Sequence, residues 1–315
     1  APESERGIYM AASVGEGINS HIQDLQDADA VRRIVEDCMP EVVFHMAAQP
    51  LVRLSYQRPL LTYATNVMGT AHVMEAIRHA QSVKAVVVVT SDKCYENREW
   101  HWGYRETDNL GGHDPYSNSK ACTELVAAAY RSSYFQPHAV KGHGAGVATV
   151  RAGNVIGGGD WAVDRLIPDL LRSIESGVVT KIRSPFALRP WQHVLEPLSG
   201  YLLLAEHLLR EPQAYAQGWN FGPADSDVRT VQWIVQRLVN AWGDGAHWAL
   251  DDQPHPHEAT YLKLDASLAK DRLGWRPRWC LEQTLDAIVE WHRALRDGRD
   301  MRSLSLDQIK RYVSS

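Results

Sequence analysis

The 315 residues are 44% hydrophobic and 23% charged, with 33 Lys plus Arg against 38 Asp plus Glu and a formal net charge of −5. That apolar fraction excludes a chain dominated by disorder. The acidic balance offers no basic field to a nucleic acid, and no run approaches the roughly 20 apolar residues that a membrane helix needs.

Taken in chain order, 27–37 has helical apolar spacing, and EVVFHMAA (41–48) is a short buried strand ending in small residues. The periodic stretch 58–79 predicts a long helix. The valine run in 83–92 predicts a central parallel strand buried on both faces. A helix with proline near its start follows over 115–130, then a strand running into a glycine loop over 146–160. Beyond Gly157 the elements shorten, apart from a helix over 193–209 that returns to the first body. The last fifty residues are helical over 267–273, 281–295 and 306–312. This alternation predicts an α/β chain of βαβ units with a parallel sheet covered by helices and a second, smaller lobe, although the strands placed here are too few to complete a doubly wound sheet. The expected division is 1–157 with a return segment 190–222, against 158–189 and 223–315. Cys38, Cys94, Cys122 and Cys280 lie far apart, which suits a reducing cytoplasm better than a disulfide framework or zinc ribbon.

The sharpest chemical signal is YSNSK, 116–120. Tyr116 and Lys120 share one helical face at i and i+4, so an ammonium lies beside a phenol. A free tyrosine keeps its proton to about pH 10, and a nearby cation favours the phenolate. Such a pair can act as a general base towards an alcohol. By itself the spacing also occurs on ordinary helix surfaces. Ser91, Asp92 and Lys93 end the valine strand, and Ala47, Ala48 and Gln49 end the strand before it, where open parallel sheets collect functional residues. The bland reading of Asp92–Lys93 is a solvated pair at a strand end.

The order hydroxyl, tyrosine, lysine resembles the extended branch of the short-chain dehydrogenase/reductase superfamily. TSDKCY (90–95), PYSNSK (115–120), VRAGNVIGGGDW (150–161), RPWQHV (189–194) and HPHEAxYLKLD (255–265), in this order, resemble the CDP-glucose 4,6-dehydratases. The related dTDP-glucose and GDP-mannose enzymes have an acidic residue where this chain has Lys93.

The resemblance implies an α/β fold, a Rossmann-like doubly wound parallel sheet with a smaller C-terminal α/β substrate lobe. It also implies NAD-dependent oxidation at C4 of CDP-glucose, elimination of water across C5 and C6, and return of hydride to C6. Tyr116 would be the base at O4, with Lys120 lowering its pKa and holding the nicotinamide ribose, and Ser91 would bond the same hydroxyl. Asp92 and Lys93 would be acid and base in the elimination, which requires a protonated Asp92 and a neutral Lys93. Burial favours both states, their mutual attraction opposes both, and the microscopic assignment stays open. For the cofactor the resemblance marks Asp24 and Leu25 at the adenine, Ala47, Ala48, Gln49 and Thr90 along the strand ends, and Asn66 as support. Asp24 also reads as a helix cap, a job that suits Asp27 better.

For the substrate the resemblance marks Asn154, Trp161, Arg189 on the pyrophosphate, His193, and His255, His257 and Glu258. His255, His257 and Glu258 also have a metal-like arrangement, yet lack further Cys or His partners nearby, so no metal is expected. It further implies a homodimer through helices 58–80 and 115–130, and a family N-terminus with a first strand, glycine-rich turn and first helix that precede this sequence. The 315 residues alone are then expected not to retain NAD. The runner-up is a dehydratase or epimerase of another nucleotide sugar, of which an epimerase would need only Ser91, Tyr116 and Lys120. A non-catalytic nucleotide-sugar-binding protein is the reading from a different class.

Overall fold

The computed structural model describes residues 4–136, 143–243, 247–251 and 260–315. Four parallel strands form its main sheet: β1 (Val42–His45), β2 (Ala85–Val89), β3 (Gly146–Ala152) and β4 (Gly218–Phe221), side by side in that order. Register is set by pairs such as Val43 with Val86, Val87 with Ala148, and Val150 with Trp219. Alternation along β2 explains why a strand of valines belongs in the middle. Ala85 and Val87 join a core with Tyr201, Leu204, Leu208, Trp219 and Trp275. Val86 and Val88 join the core on the other face, with Val31, Met74, Ile77 and Ala127. Burying each such valine is worth about 1.5–3 kcal/mol.

Helix α1 (Ala28–Cys38) is capped by Asp27, whose side chain accepts from the Ala30 amide. A six-residue helix that no sequence pattern announces, α2 (Val52–Gln57), follows β1. The expected helix 58–79 is interrupted. Pro59–Tyr63 is α-helical, Ala64–Met68 is a π-helical turn, and α3 (Gly69–His79) resumes. The π turn leaves the Asn66 carbonyl to accept from the hydroxyls of Thr70 and Thr123 at 2.6 and 3.0 Å. Wide turns of this kind often accompany functional sites. Helix α4 (Pro115–Tyr134) has Pro115 at its first position and Asp114 as cap.

The third predicted strand is Gly146–Ala152, and the stretch expected as a glycine loop begins directly after it. A Cβ on Gly153 would sit 2.3 Å from Pro190 Cγ, so the chain crosses under Pro190 there only as glycine. Val155–Ile156 then pairs in parallel with Gln192–His193. The region expected to hold only short elements contains α5 (Leu166–Glu175) and, further on, α7 (Val231–Trp242), both full helices. Between them α6 (Leu195–Arg210) packs on the sheet. Near the end lie α8 (Leu281–Arg296) and α9 (Met301–Val313). Leu170, Ile234, Leu238, Leu285 and Ile288 make a second core around Trp191 and Trp242, separate from the two faces of the sheet.

A buried ion pair ties α4 to β3. Glu124 and Arg151 meet through two bonds of 2.8 Å, and Thr149 and Thr90 hydroxyls lie 2.6 and 2.5 Å from the same carboxylate. Arg151 also donates to the Tyr95 hydroxyl at 2.7 Å. Burial raises the Glu124 carboxyl, but Arg151 and the two threonines bring it below its ordinary range.

Candidate active site

A cavity of about 700 Å³ opens where β1, β2 and β3 end, lined by Met46, Ala48, Val89 and Ala152 together with the loops that follow them. This is where open α/β sheets place ligands. Its walls bring together Thr90, Ser91, Asp92, Lys93, Tyr116, Lys120, Asn154 and Arg189. The sequence placed these on four separate motifs, and the fold makes them neighbours.

Asp92 begins a one-turn 3-10 helix, Asp92–Cys94, directly after β2. Its Oδ1 accepts from Ser91 Oγ at 3.1 Å, whereas its buried Oδ2 has no hydrogen-bond partner among the described residues. Burial raises the Asp92 carboxyl above its ordinary range, against the pull of Lys93, Ser91 and Arg189. A carboxyl raised by burial, on a residue that lines the cavity, suits a proton donor. Lys93 is half-buried on the same wall, and its amide donates to Ser91 Oγ at 3.2 Å.

Tyr116 and Lys120 do lie on the first turns of α4, but their electrostatics differ from the expectation. Burial pushes the Tyr116 phenol up to about 12; a hydrogen bond with Ser91 and the nearby Arg165 oppose the shift, and Asp92 adds to it. Lys120 is drawn down to about 8 by burial, opposed by Cys94 and Glu124, and its Nζ donates to the Val89 carbonyl at 3.1 Å. Lys120 thus does not bring the phenol below its ordinary value here. Desolvation outweighs a cation that is engaged with the end of β2.

Gln49 and Asn66 stand behind the cavity wall. Asn66 Oδ1 accepts from the Gln49 amide at 2.7 Å, and its Nδ2 donates to the Gln49 carbonyl and to Ser119 Oγ at 3.1 and 2.8 Å. Asn66 thereby clamps the loop after β1 to α4. Gln49 spends its side chain on Thr62 and the Leu51 amide. Ala47 does not line the cavity, and neither do Asp24 and Leu25. Asp24 is exposed and accepts from the Gln26 amide, while Leu25 lies against Gly69 and accepts from His72 through its carbonyl.

Two expected substrate residues face elsewhere. Trp161 donates its indole N–H to the Arg6 carbonyl at 2.8 Å and carries the Arg6 guanidinium 4.1 Å above its ring. His193 is buried against Trp279, at 4.9 Å between rings, and burial takes it down to about 4. His255, His257 and Glu258 lie outside the described residues. Sequence reasoning did not mark Arg53, Arg165 or Tyr201, all of which line the cavity. Arg53 comes from α2, and Arg165 precedes α5. Neither carried a motif. No group of three or more His, Cys, Asp or Glu among the described residues could hold a metal ion.

A sequence profile described as GDP-mannose 4,6 dehydratase matches residues 8–288. The chain belongs to that family. Within this dehydratase family it is 57% identical to the CDP-glucose 4,6-dehydratase of Salmonella typhimurium, over 98% of this chain and 86% of that one. It is 27% identical to the dTDP-glucose 4,6-dehydratase of Streptomyces antibioticus, over 86% of this chain and 75% of that one. Among solved structures, UDP-glucose 4-epimerase of Thermotoga maritima with UDP-glucose gives a TM-score of 0.75 at 22% identity, covering 87% of this chain and 84% of that one. The dTDP-glucose 4,6-dehydratase of Streptomyces venezuelae with NAD bound gives 0.72 at 22%, covering 88% and 80%. These structures share the Rossmann fold, and dehydratases and epimerases both use it. The fold therefore does not choose the reaction.

Proposed function

We propose that the protein dehydrates CDP-glucose to CDP-4-keto-6-deoxyglucose with NAD as resident cofactor. The observation that carries the dehydratase reading is Asp92, buried beside Lys93 and Tyr116, with a carboxyl raised by burial and an oxygen left over. An epimerase has no use for such an acid. The nucleotide is argued from the 57% identity to the Salmonella enzyme.

The cavity fits a nicotinamide nucleotide. Ala48 leaves room at the end of β1, and Lys120 has three N–H donors, of which one goes to Val89. Thr90, Tyr116 and Lys120 would hold the nicotinamide end. With NAD bound, the chemistry supplied is hydride acceptance from C4 and its return at C6. The rest falls to the chain. Positive charge beside the phenol, from Lys120 and from a bound nicotinamide, would favour loss of its proton to solvent, and Tyr116 as phenolate then takes the O4 proton while Ser91 bonds the same oxygen. Lys93 takes the C5 proton, made acidic by the 4-ketone, and Asp92 gives its proton to the C6 hydroxyl, which leaves as water. Lys93 then returns a proton to C5. Asn154 and Arg189 take the sugar and the diphosphate, for which a guanidinium fork is suited.

Segments 1–157 and 190–222 form the cofactor-binding part in this reading, and the remainder closes over the nucleotide sugar. Leu60, Met68 and Leu125, each more than half exposed, lie on the helices that would pair with a second copy in a homodimer. Among the described residues no helix is long and apolar enough to cross a membrane, and a cytoplasmic enzyme of deoxysugar biosynthesis is the setting we propose. Incubation of the full-length protein with CDP-, dTDP-, UDP- and GDP-sugars tests the reading. A 4-keto-6-deoxy product from CDP-glucose is expected, and turnover of only another nucleotide sugar rejects it.

A further inference from the structure

Helix α2 does something that its exposure and sequence do not advertise. Ser55, with no exposed surface, donates its hydroxyl to the Val52 carbonyl at 2.6 Å and accepts the backbone N–H of Tyr116 at 3.1 Å. Tyr116 is the second residue of α4, so its amide is one of the first four that no carbonyl of the same helix can take. The neighbouring orphans are served locally. Ser117 donates to Asp114 Oδ1 at 2.9 Å and Asn118 to the Asp114 carbonyl at 2.9 Å. The amide of the residue bearing the phenol is instead held by a side chain 61 positions earlier. The same α2 lines the cavity through Val52, Arg53 and Tyr56, and Arg53 pairs with Asp164 at 3.0 Å on another part of the cavity wall.

We infer that Ser55 is a positioning residue for Tyr116. By capping the Tyr116 amide from α2, it fixes how far the phenol reaches over the end of β2, and it ties that position to the cavity wall that meets the substrate. The inference rests on the proposed role of Tyr116 as base. Nothing else in the described structure takes this amide, so removing the Ser55 oxygen frees the start of α4 at the one residue whose placement the proton transfer depends on. Small displacements of a reacting group cost large factors in rate.

The test uses the full-length protein. Ser55→Ala is expected to lower kcat by about 10- to 100-fold with KM for CDP-glucose little changed, and to speed hydrogen exchange at the Tyr116 amide but not at Ser117. Ser55→Thr keeps the oxygen and restores kcat. Ser55→Cys offers only a weakly accepting sulfur and falls with the alanine variant, so the comparison of Thr with Cys decides the matter if the alanine protein does not fold. An unchanged kcat, a change confined to KM, or unaltered Tyr116 exchange overturns the inference. If the parent protein does not turn over CDP-glucose, the functional reading fails on its own account. The Tyr116 and Ser117 exchange rates then decide the Ser55 contact separately.

Discussion

Tyr116→Phe lowers kcat for CDP-glucose by about 10²- to 10⁴-fold, the span that a positioned acid–base group contributes, and leaves KM and folding near the parental values. The substitution removes one oxygen from a buried ring and changes no packing. Ser91 keeps its bonds to Asp92 and to the Lys93 amide, so no neighbouring hydroxyl is stranded. The pH profile of the parent enzyme separates the two members of the pair. Burial pushes the phenol up to about 12, so its ionisation to the base depends on positive charge beside it. Lys120, drawn down to about 8, loses its charge as pH rises through that value. The cation that assists departure of the phenolic proton is therefore present below about 8 and lost above it, and kcat/KM falls on the alkaline side with an apparent pKa near 8. A profile flat to about pH 10, the ordinary lysine range, would set Lys120 aside, and a Phe variant within tenfold of the parent would set Tyr116 aside.

Arg151→Met has the largest expected effect on stability. Glu124 would remain buried and charged with its two guanidinium bonds gone, and Tyr95 would lose a donor to its hydroxyl. Breaking one side of a buried pair costs about 3–5 kcal/mol, a large part of the roughly 5–15 kcal/mol that holds a folded domain. The Glu124→Leu/Arg151→Met double substitution recovers most of the loss, because no uncompensated charge is left inside. Urea unfolding measures both, as a shift in midpoint at constant slope. A single variant as stable as the parent, or a double variant worse than the single, would show that the pair does not hold α4 to β3 as described.

The parts of the site that the sequence displayed are those whose pattern is local. A valine run buried on both faces announces β2, and the next residues, Ser91–Asp92–Lys93, are then at a strand end by construction. Tyr116 and Lys120 share a face because four residues make about one turn. Asn66 stood out as a polar residue on an inward helical face, although the π turn that frees its carbonyl left no signature. Helix α2 is too short for periodicity and lies between Pro50 and Pro59. Strand β4, Gly218–Phe221, opens on glycine and has no β-branched residue, unlike β1 with its paired valines. The orientations of Trp161 and His193 were illegible for a different reason. Each is decided by a partner far along the chain, Arg6 and Trp279, and side-chain direction at such positions follows from tertiary packing alone. Gln49 obeys the same logic at shorter range: its side chain bonds Thr62 and the Leu51 backbone and does not line the cavity.

The central claim is that oxidation, elimination and reduction occur in one cavity between Tyr116, Asp92, Lys93 and a nicotinamide that never leaves. The most direct measurement supplies the full-length protein with CDP-glucose deuterated at C4 and reads the product by mass spectrometry and NMR. The expected product is lighter by one water, carries a 4-ketone, and holds the deuterium at C6, with no NADH accumulating. Deuterium lost to solvent, a product of unchanged mass, or NADH released in step with turnover would contradict the claim.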